Sequence, residues 1–244
     1  MSVEKSIYDV DMPVIVPGAY GDCTIEHVKE QEKFVLRHKG IQWMASDESF
    51  IPAKDTFYSQ YDLAYGDVLL SGLGFGILPK ALAQKDSVRS ITVVEINKDV
   101  IDAFLQHNEL DPKITIIEAD ASTYVSDKKY DCLLPDHYEL QGVDWTLADM
   151  QGMAKRISHD VYWPWSIEEL FLIKTYPKKS YSSETLELYK EEIPAKWREF
   201  IAEHLNSHPT LADISDENLL KYLEKHAKYY YDSKYGPADW ASTK

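Results

Sequence analysis

Cysteine is scarce in this chain: Cys23 and Cys132 are the only 2 among 244 residues. That number excludes a disulfide framework and a cysteine-built metal box. Cys132 falls inside an apolar run and is expected to be a small buried hydrophobe. Long apolar stretches are lacking too, and the longest are strand-sized, so no membrane partner is expected. The first residues, Met1-Ser2-Val3-Glu4-Lys5-Ser6, hold no basic segment followed by an apolar one, so the expectation is a cytoplasmic protein. Basic residues are outnumbered: 26 Lys and Arg face 41 Asp and Glu, for a net charge of −15. Such a field repels phosphates, and no basic stretch interleaved with aromatics offsets it, which argues against nucleic acid. A cationic or neutral small molecule suits it better, although acidity also serves solubility. Clustered metal ligands are missing as well, and no metal is expected.

What is present is ordinary for a globular protein. Hydrophobic residues make up 44% of the chain, enough for one α/β core and an added segment. Residues 1–62 read as a β-rich lead-in. Cys23 to Val28 and Lys33 to His38 form a hairpin around the charged Lys29-Glu30-Gln31-Glu32 turn, and Ile41 to Met44 adds a third strand. The core, 63–176, alternates. Strands are expected at 67–70, 90–95, 113–118 and 130–134, with helices at 77–84 and 98–107. This alternation implies a parallel, Rossmann-like sheet. A helix follows at 145–157, and Leu170-Phe171-Leu172-Ile173 reads as a fifth strand. From residue 177 onward the pattern is a helical appendage, with helices at 184–192, 194–206 and 216–231. Its aromatic cluster, Tyr229-Tyr230-Tyr231 with Tyr235 and Trp240, reads as a packing or homo-oligomer surface.

The most informative stretch is Gly72-Leu73-Gly74-Phe75-Gly76, directly after the apolar run Val68-Leu69-Leu70. Glu95 ends the next apolar run, Ile91-Thr92-Val93-Val94. Glycines let the backbone turn sharply against a ligand, and a strand-end acid can accept hydrogen bonds from both ribose hydroxyls. A dinucleotide turn would need a third glycine at 77, where this chain has Ile77, so NAD is disfavoured. In parallel sheets, ligands bind beyond the carboxyl ends of the strands. Gly72, Glu95, Asp120 and Asp136 all fall at such ends.

G-x-G-x-G followed by a strand-end acid resembles the S-adenosylmethionine (AdoMet) site of class I methyltransferases. Within that superfamily, Gln42-Trp43-Met44-Ala45-Ser46-Asp47-Glu48 resembles the segment of spermidine synthases in which a glutamine precedes an Asp-Glu pair by five residues. The resemblance covers roughly residues 20–140. It implies a class I Rossmann-like domain that binds AdoMet or decarboxylated AdoMet. Gly72, Gly74 and Gly76, with Leu73, would face the amino-acid end and ribose, and Glu95, beside Ile96, would hold the ribose hydroxyls. Asp120, followed by Ala121, matches the acid that receives the adenine amino group, and Gln42 completes the implied cofactor set.

The same resemblance makes Asp136 the residue at the point of transfer. Aminopropyltransferases carry Asp-x-x-Asp there, and this chain has Asp136-His137-Tyr138-Glu139. A carboxylate there can hold an acceptor amine and take up its proton. His137 is either a general base or a packing residue, and Tyr138 completes the candidate catalytic set. The second acid is Glu139 rather than aspartate, and the small residues usual between the two are replaced by His137 and Tyr138. Leu73 and Phe75 stand where spermidine synthases place an aspartate in the turn. The ranking that follows is methyl transfer to a small-molecule acceptor, then aminopropyl transfer to a polyamine, then a non-catalytic AdoMet-binding homologue.

Overall fold

A computed structural model describes residues 4–137, 143–176 and 183–232. The chain opens with a four-stranded antiparallel meander: β1 (Gly18–Tyr20), β2 (Cys23–Val28), β3 (Lys33–His38) and β4 (Ile41–Asp47). The hairpin falls where its β-branched and aromatic residues place it, and β1, three residues long, is an addition to the expected strands. On β4, Met44 pairs with Leu36 but Gln42 pairs with Arg37, so Trp43 is an extra residue that bulges the strand. Two short helices, α1 (Ile51–Thr56) and α2 (Tyr58–Leu63), lead into the second sheet.

That second sheet is built from β5 (Gly66–Ser71), α3 (Ile77–Ala83), β6 (Val88–Glu95), α4 (Lys98–Leu105), β7 (Ile114–Glu118) and β8 (Tyr130–Pro135). It continues through α5 (Val143–Arg156) and β9 (His159–Tyr162). The strand order is β7-β6-β5-β8-β9, and every neighbouring pair is parallel. The fold is therefore α/β with a Rossmann-like sheet. Val68, Leu69 and Leu70 on β5 and Cys132, Leu133 and Leu134 on β8 are all buried, as central strands covered on both faces must be. β5 has β6 on one side and β8 on the other, so the winding direction reverses at β5. That reversal opens a crevice at the carboxyl end of the sheet.

The fifth strand is not where the sequence places it. Leu170-Phe171-Leu172-Ile173 belongs to a helix, α6 (Ile167–Thr175), in which Ile167 through Leu172 are all buried. This helix carries four apolar residues in a row, Leu170 to Ile173, without the spaced polar positions of an amphipathic helix, so the run looks like a buried strand. The fifth strand is β9, whose His159-Asp160-Val161-Tyr162 is too short and too polar to announce itself. Beyond α6 come α7 (Ser183–Tyr189), α8 (Ile193–Leu205), α9 (Pro209–Ala212) and α10 (Asp216–Asp232). They share the core of the sheet: Trp163 stacks on Trp197 at 5.9 Å and meets Tyr222 edge-on at 5.4 Å, while Phe171 packs on Trp197 at 5.2 Å. Aromatic pairs at these separations contribute beyond their buried area, about 0.5–1.5 kcal/mol each. The side chains of Tyr229-Tyr230-Tyr231, with Tyr235 and Trp240, lie outside the described residues. Among the described residues, no helix is long and apolar enough to cross a membrane.

Candidate active site

The crevice is assembled from backbone first. Where β5 ends, Gly72 N–H donates to Val94 O at 2.8 Å, and Asp136 N–H donates to Ser71 O at 2.8 Å. The ladder thus carries Gly72 and Asp136 one residue beyond their strands, and the Ala119 N–H to Glu95 O bond at 3.0 Å does the same between β6 and β7. Gly72 has φ +87°, and a Cβ on it would lie 1.9 Å from the Asp136 carbonyl oxygen. Only glycine lets the two strand ends approach this closely. Gly74, at φ +51°, leaves room for Met44, whose Sδ lies 2.7 Å from where a Cβ would be. Gly76 then serves as the N-cap position of α3. The Leu73 and Phe75 side chains between these glycines are buried in the core, so the turn offers backbone to the crevice.

Glu95 ties the turn together. Its carboxylate is buried, with Oε2 accepting from Leu73 N–H and Oε1 accepting from Asn97 N–H, both at 2.8 Å. Each oxygen keeps a further lone pair for a ligand. Ile96 beside it is 61% exposed, an apolar side chain at the rim. Asp120 is exposed and forms a local turn, its Oδ1 accepting from Ser122 N–H at 2.8 Å and Ser122 Oγ at 2.7 Å. These Ser122 bonds hold its carboxyl below the usual range, aided by the charges of His137 and Arg156. Ala121 is buried, and its carbonyl accepts from Arg156 Nη2 at 3.2 Å.

Asp136 behaves differently from its neighbours. Burial pushes its carboxyl well above the ordinary carboxylate range, and the charge of Glu95 adds to the effect. His137, next in sequence, is held at both ring nitrogens: Nδ1 lies 2.6 Å from Ser71 Oγ, and Nε2 lies 2.8 Å from Asp149 Oδ2 on α5. This Ser71–His137–Asp149 chain has the composition of a nucleophilic triad but not its access. Ser71 is fully buried, and the N–H groups that follow it are taken by Val94 O and Glu95. A developing oxyanion would find no free donors there. The chain instead pins the turn that carries Asp136.

Sheet topology therefore sets Gly72, Glu95 and Asp136 at the carboxyl ends of β5, β6 and β8, with Asp120 after β7 and His137 beside Asp136, while Gly76 lies at the start of α3 against Phe104. Gln42 is placed otherwise. The bulge at Trp43 puts it with Arg37 on the face of the meander opposite Met44, where it is exposed. Tyr138 and Glu139 lie outside the described residues. Ser71, Asn97 and Asp149 touch the candidate site residues and were not singled out from the sequence, and Met44, which lies inside the quoted Gln42–Glu48 segment, was given no role there. Among the described residues, no three or more His, Cys, Asp or Glu side chains are grouped to hold a metal ion.

No family model matches the chain, and no curated protein matches it by sequence. Solved structures do resemble it. A spermidine synthase in complex with the transition-state analogue AdoDATO is 20% identical, covers 61% of this chain and superposes with a TM-score of 0.45. Spermidine synthase from Thermotoga maritima is 18% identical over 61% of this chain, with a TM-score of 0.42. This chain spans about half the length of those two enzymes, 55% of each. Phosphoethanolamine N-methyltransferase 1 from Haemonchus contortus, solved with phosphoethanolamine and S-adenosylhomocysteine, is 18% identical. That match covers 45% of this chain and 24% of that one, at a TM-score of 0.36. The likeness is one of fold.

Proposed function

We propose that this protein is an AdoMet-dependent transferase acting on a small-molecule acceptor, with methyl transfer as the first reading. One observation carries it: the winding of the sheet reverses at β5, and there a glycine turn meets two acids, Glu95 and Asp136, at the ends of the flanking strands. Glu95 is a buried carboxylate with lone pairs left for ribose hydroxyls, and Asp136 is a carboxyl whose burial disfavours its charge. The residues fit a nucleoside sulfonium. Backbone at Gly72 and Gly74 would lie along its amino-acid end, the exposed Ile96 would offer an apolar face to the base, and Asp120 would receive the adenine amino group. Displacement at carbon beside a sulfonium needs mainly alignment, because the sulfonium is itself a good leaving group. Asp136 would face both the transferred carbon and the incoming acceptor, and in its ionised form would take up the acceptor's proton.

Aminopropyl transfer is the second reading. It is favoured by the meander that sets Met44 against Gly74, together with the acid at Asp136. Incubation with AdoMet or with decarboxylated AdoMet, each with putrescine and a metabolite mixture, separates the two. S-adenosylhomocysteine formed from AdoMet supports methyl transfer. Methylthioadenosine formed only from the decarboxylated donor reverses the ranking. Binding of AdoMet without turnover across broad acceptor screens makes this a non-catalytic AdoMet-binding homologue.

A further inference from the structure

Beyond β9 the chain keeps running beside β8: Trp163 N–H donates to Leu133 O at 3.1 Å, and Trp165 N–H donates to Pro135 O at 2.8 Å. Gln60 on α2 is fully buried and joins the same place, its Nε2 donating to Trp163 O at 3.0 Å and to Pro135 O at 3.4 Å. Two carbonyls against one nitrogen fix which end of the amide is the NH2, so Oε1 belongs to neither contact. Glu168, 1% exposed in the first turn of α6, accepts from Trp163 Nε1 at 2.9 Å through Oε1. Among the described residues, three side-chain atoms on this segment are buried without a hydrogen-bond partner: Gln60 Oε1, Trp165 Nε1 and Glu168 Oε2. The last has His226 Nδ1 at 3.8 Å, beyond hydrogen-bond reach. Buried polar atoms are ordinarily paired, and several left open at one strand end call for an explanation. Ser166, between Trp165 and Glu168 in the chain, is buried with φ +64°, a left-handed backbone that a serine holds only when its surroundings impose it. Asp136 follows Pro135 directly, so this segment adjoins the acceptor side of the proposed site.

We propose that Gln60, Trp165 and Glu168 form a subsite for a primary carboxamide, and that this amide is the head of the acceptor. The two open acceptors, Gln60 Oε1 and Glu168 Oε2, call for two N–H donors, and the open Trp165 Nε1–H calls for one carbonyl oxygen. A primary amide carries that set. An ammonium donates three times and accepts nothing, which leaves the indole N–H unanswered. A carboxylate sets a second negative charge against Glu168, and a tertiary amide has no N–H to give. Trp165 is only partly buried although its Nε1 is enclosed, and its ring packs on Phe57, one turn before Gln60, at 6.5 Å. Gln60 and Glu168 lie deeper, which makes the indole the side of the subsite that meets solvent. The subsite rests on the transferase reading only for its role toward an acceptor; carboxamide binding itself does not.

The test is NMR of the tryptophan indole N–H groups in the full chain, where Trp165→Phe identifies one of the 6 resonances. Acetamide is expected to shift the Trp165 resonance saturably, whereas N,N-dimethylacetamide, acetate and putrescine leave it in place. Gln60→Leu, its folding checked by thermal unfolding, should bind acetamide about three- to tenfold more weakly, as the loss of one hydrogen bond implies. No shift with acetamide in the wild-type chain overturns the proposal and leaves buried water only. An equal shift with N,N-dimethylacetamide, or a larger one with putrescine, overturns it as well, and none of these outcomes needs a variant. Calorimetry with AdoMet alongside separates the two claims. AdoMet binding without an acetamide shift sinks the subsite alone. An acetamide shift without AdoMet binding keeps the subsite, while the transferase reading and the acceptor role fail together.

Discussion

Replacing Glu95 by Gln is the obvious probe of a ribose contact, and the structure shows that it strikes the turn as well. The carboxylate accepts from two backbone donors at 2.8 Å, one on each oxygen. An amide keeps one acceptor and presents an NH2 where the other oxygen stood, so one N–H faces another donor. The buried Leu73 N–H is expected to keep the carbonyl, and the Asn97 N–H, closer to solvent, loses its partner. An unsatisfied donor and the loss of a charge-assisted bond cost about 1–3 kcal/mol, part of it offset because Asp136 no longer faces a like charge. For a chain of this size the melting temperature should fall by roughly 3–9 °C. Thermal unfolding followed by circular dichroism, with no ligand present, measures this directly. A melting temperature within about 1 °C of wild type would falsify the view that Glu95 braces the turn. The consequence for binding is practical: an affinity loss in Glu95→Gln is assigned to the ribose only in excess of what the loosened turn accounts for.

The remaining expectations concern the same strand ends and one distant pair. Because the folded-state carboxyl of Asp136 is raised, the unfolded chain binds fewer protons above the ordinary carboxylate range, and stability declines as pH rises through it. Asp136→Asn should therefore raise the melting temperature near neutral pH, leave it unchanged at about pH 4 and abolish turnover; equal effects at both pH values would refute the assignment. Gly72→Ala places a Cβ 1.9 Å from the Asp136 carbonyl oxygen at φ +87° and should cost on the order of 2–4 kcal/mol, read from the urea midpoint. His159 and His208 share a hydrogen bond at 2.9 Å, and burial with the neighbouring ring lowers His208 to about 4. Here the unfolded state binds more protons below the ordinary histidine range, so stability present at neutral pH is lost on acidification toward pH 4. The loss reaches about 3 kcal/mol, and His208→Gln should flatten that pH profile.

Strands and hairpin were legible because their signal is local. Val68-Leu69-Leu70 and Ile91-Thr92-Val93-Val94 are apolar, partly β-branched and flanked by turns, and they became β5 and β6. Glu95 was legible as a strand-end acid, but its bracing of Leu73 and Asn97 depends on a turn geometry that no spacing encodes. Gln42 shows the opposite limit. A five-residue interval to Asp47-Glu48 counts along the chain, whereas one bulged residue at Trp43 decides which face the glutamine takes. Asp149 was invisible because it lies on a helix reached only after a further segment, and nothing in sequence brings that helix back over His137. The apolar run in α6 was misread because four apolar residues in a row, Leu170 to Ile173, suit a buried strand as well as this helix.

The hydrogen-bond ladder that carries Gly72, Glu95 and Asp136 also acts as a ruler. Neighbouring strands are roughly 4.8 Å apart, and Glu95 and Asp136 continue the strands on either side of β5, so their backbones are spaced by about two such intervals. The gap between the two acids is therefore set by the sheet rather than by any loop. Substitutions in the meander or in the helices can recast the walls around it while the interval stays the same. A ligand bridging the two acids would need a length matched to that interval, and differences in what could be recognised would be confined to the parts that overhang.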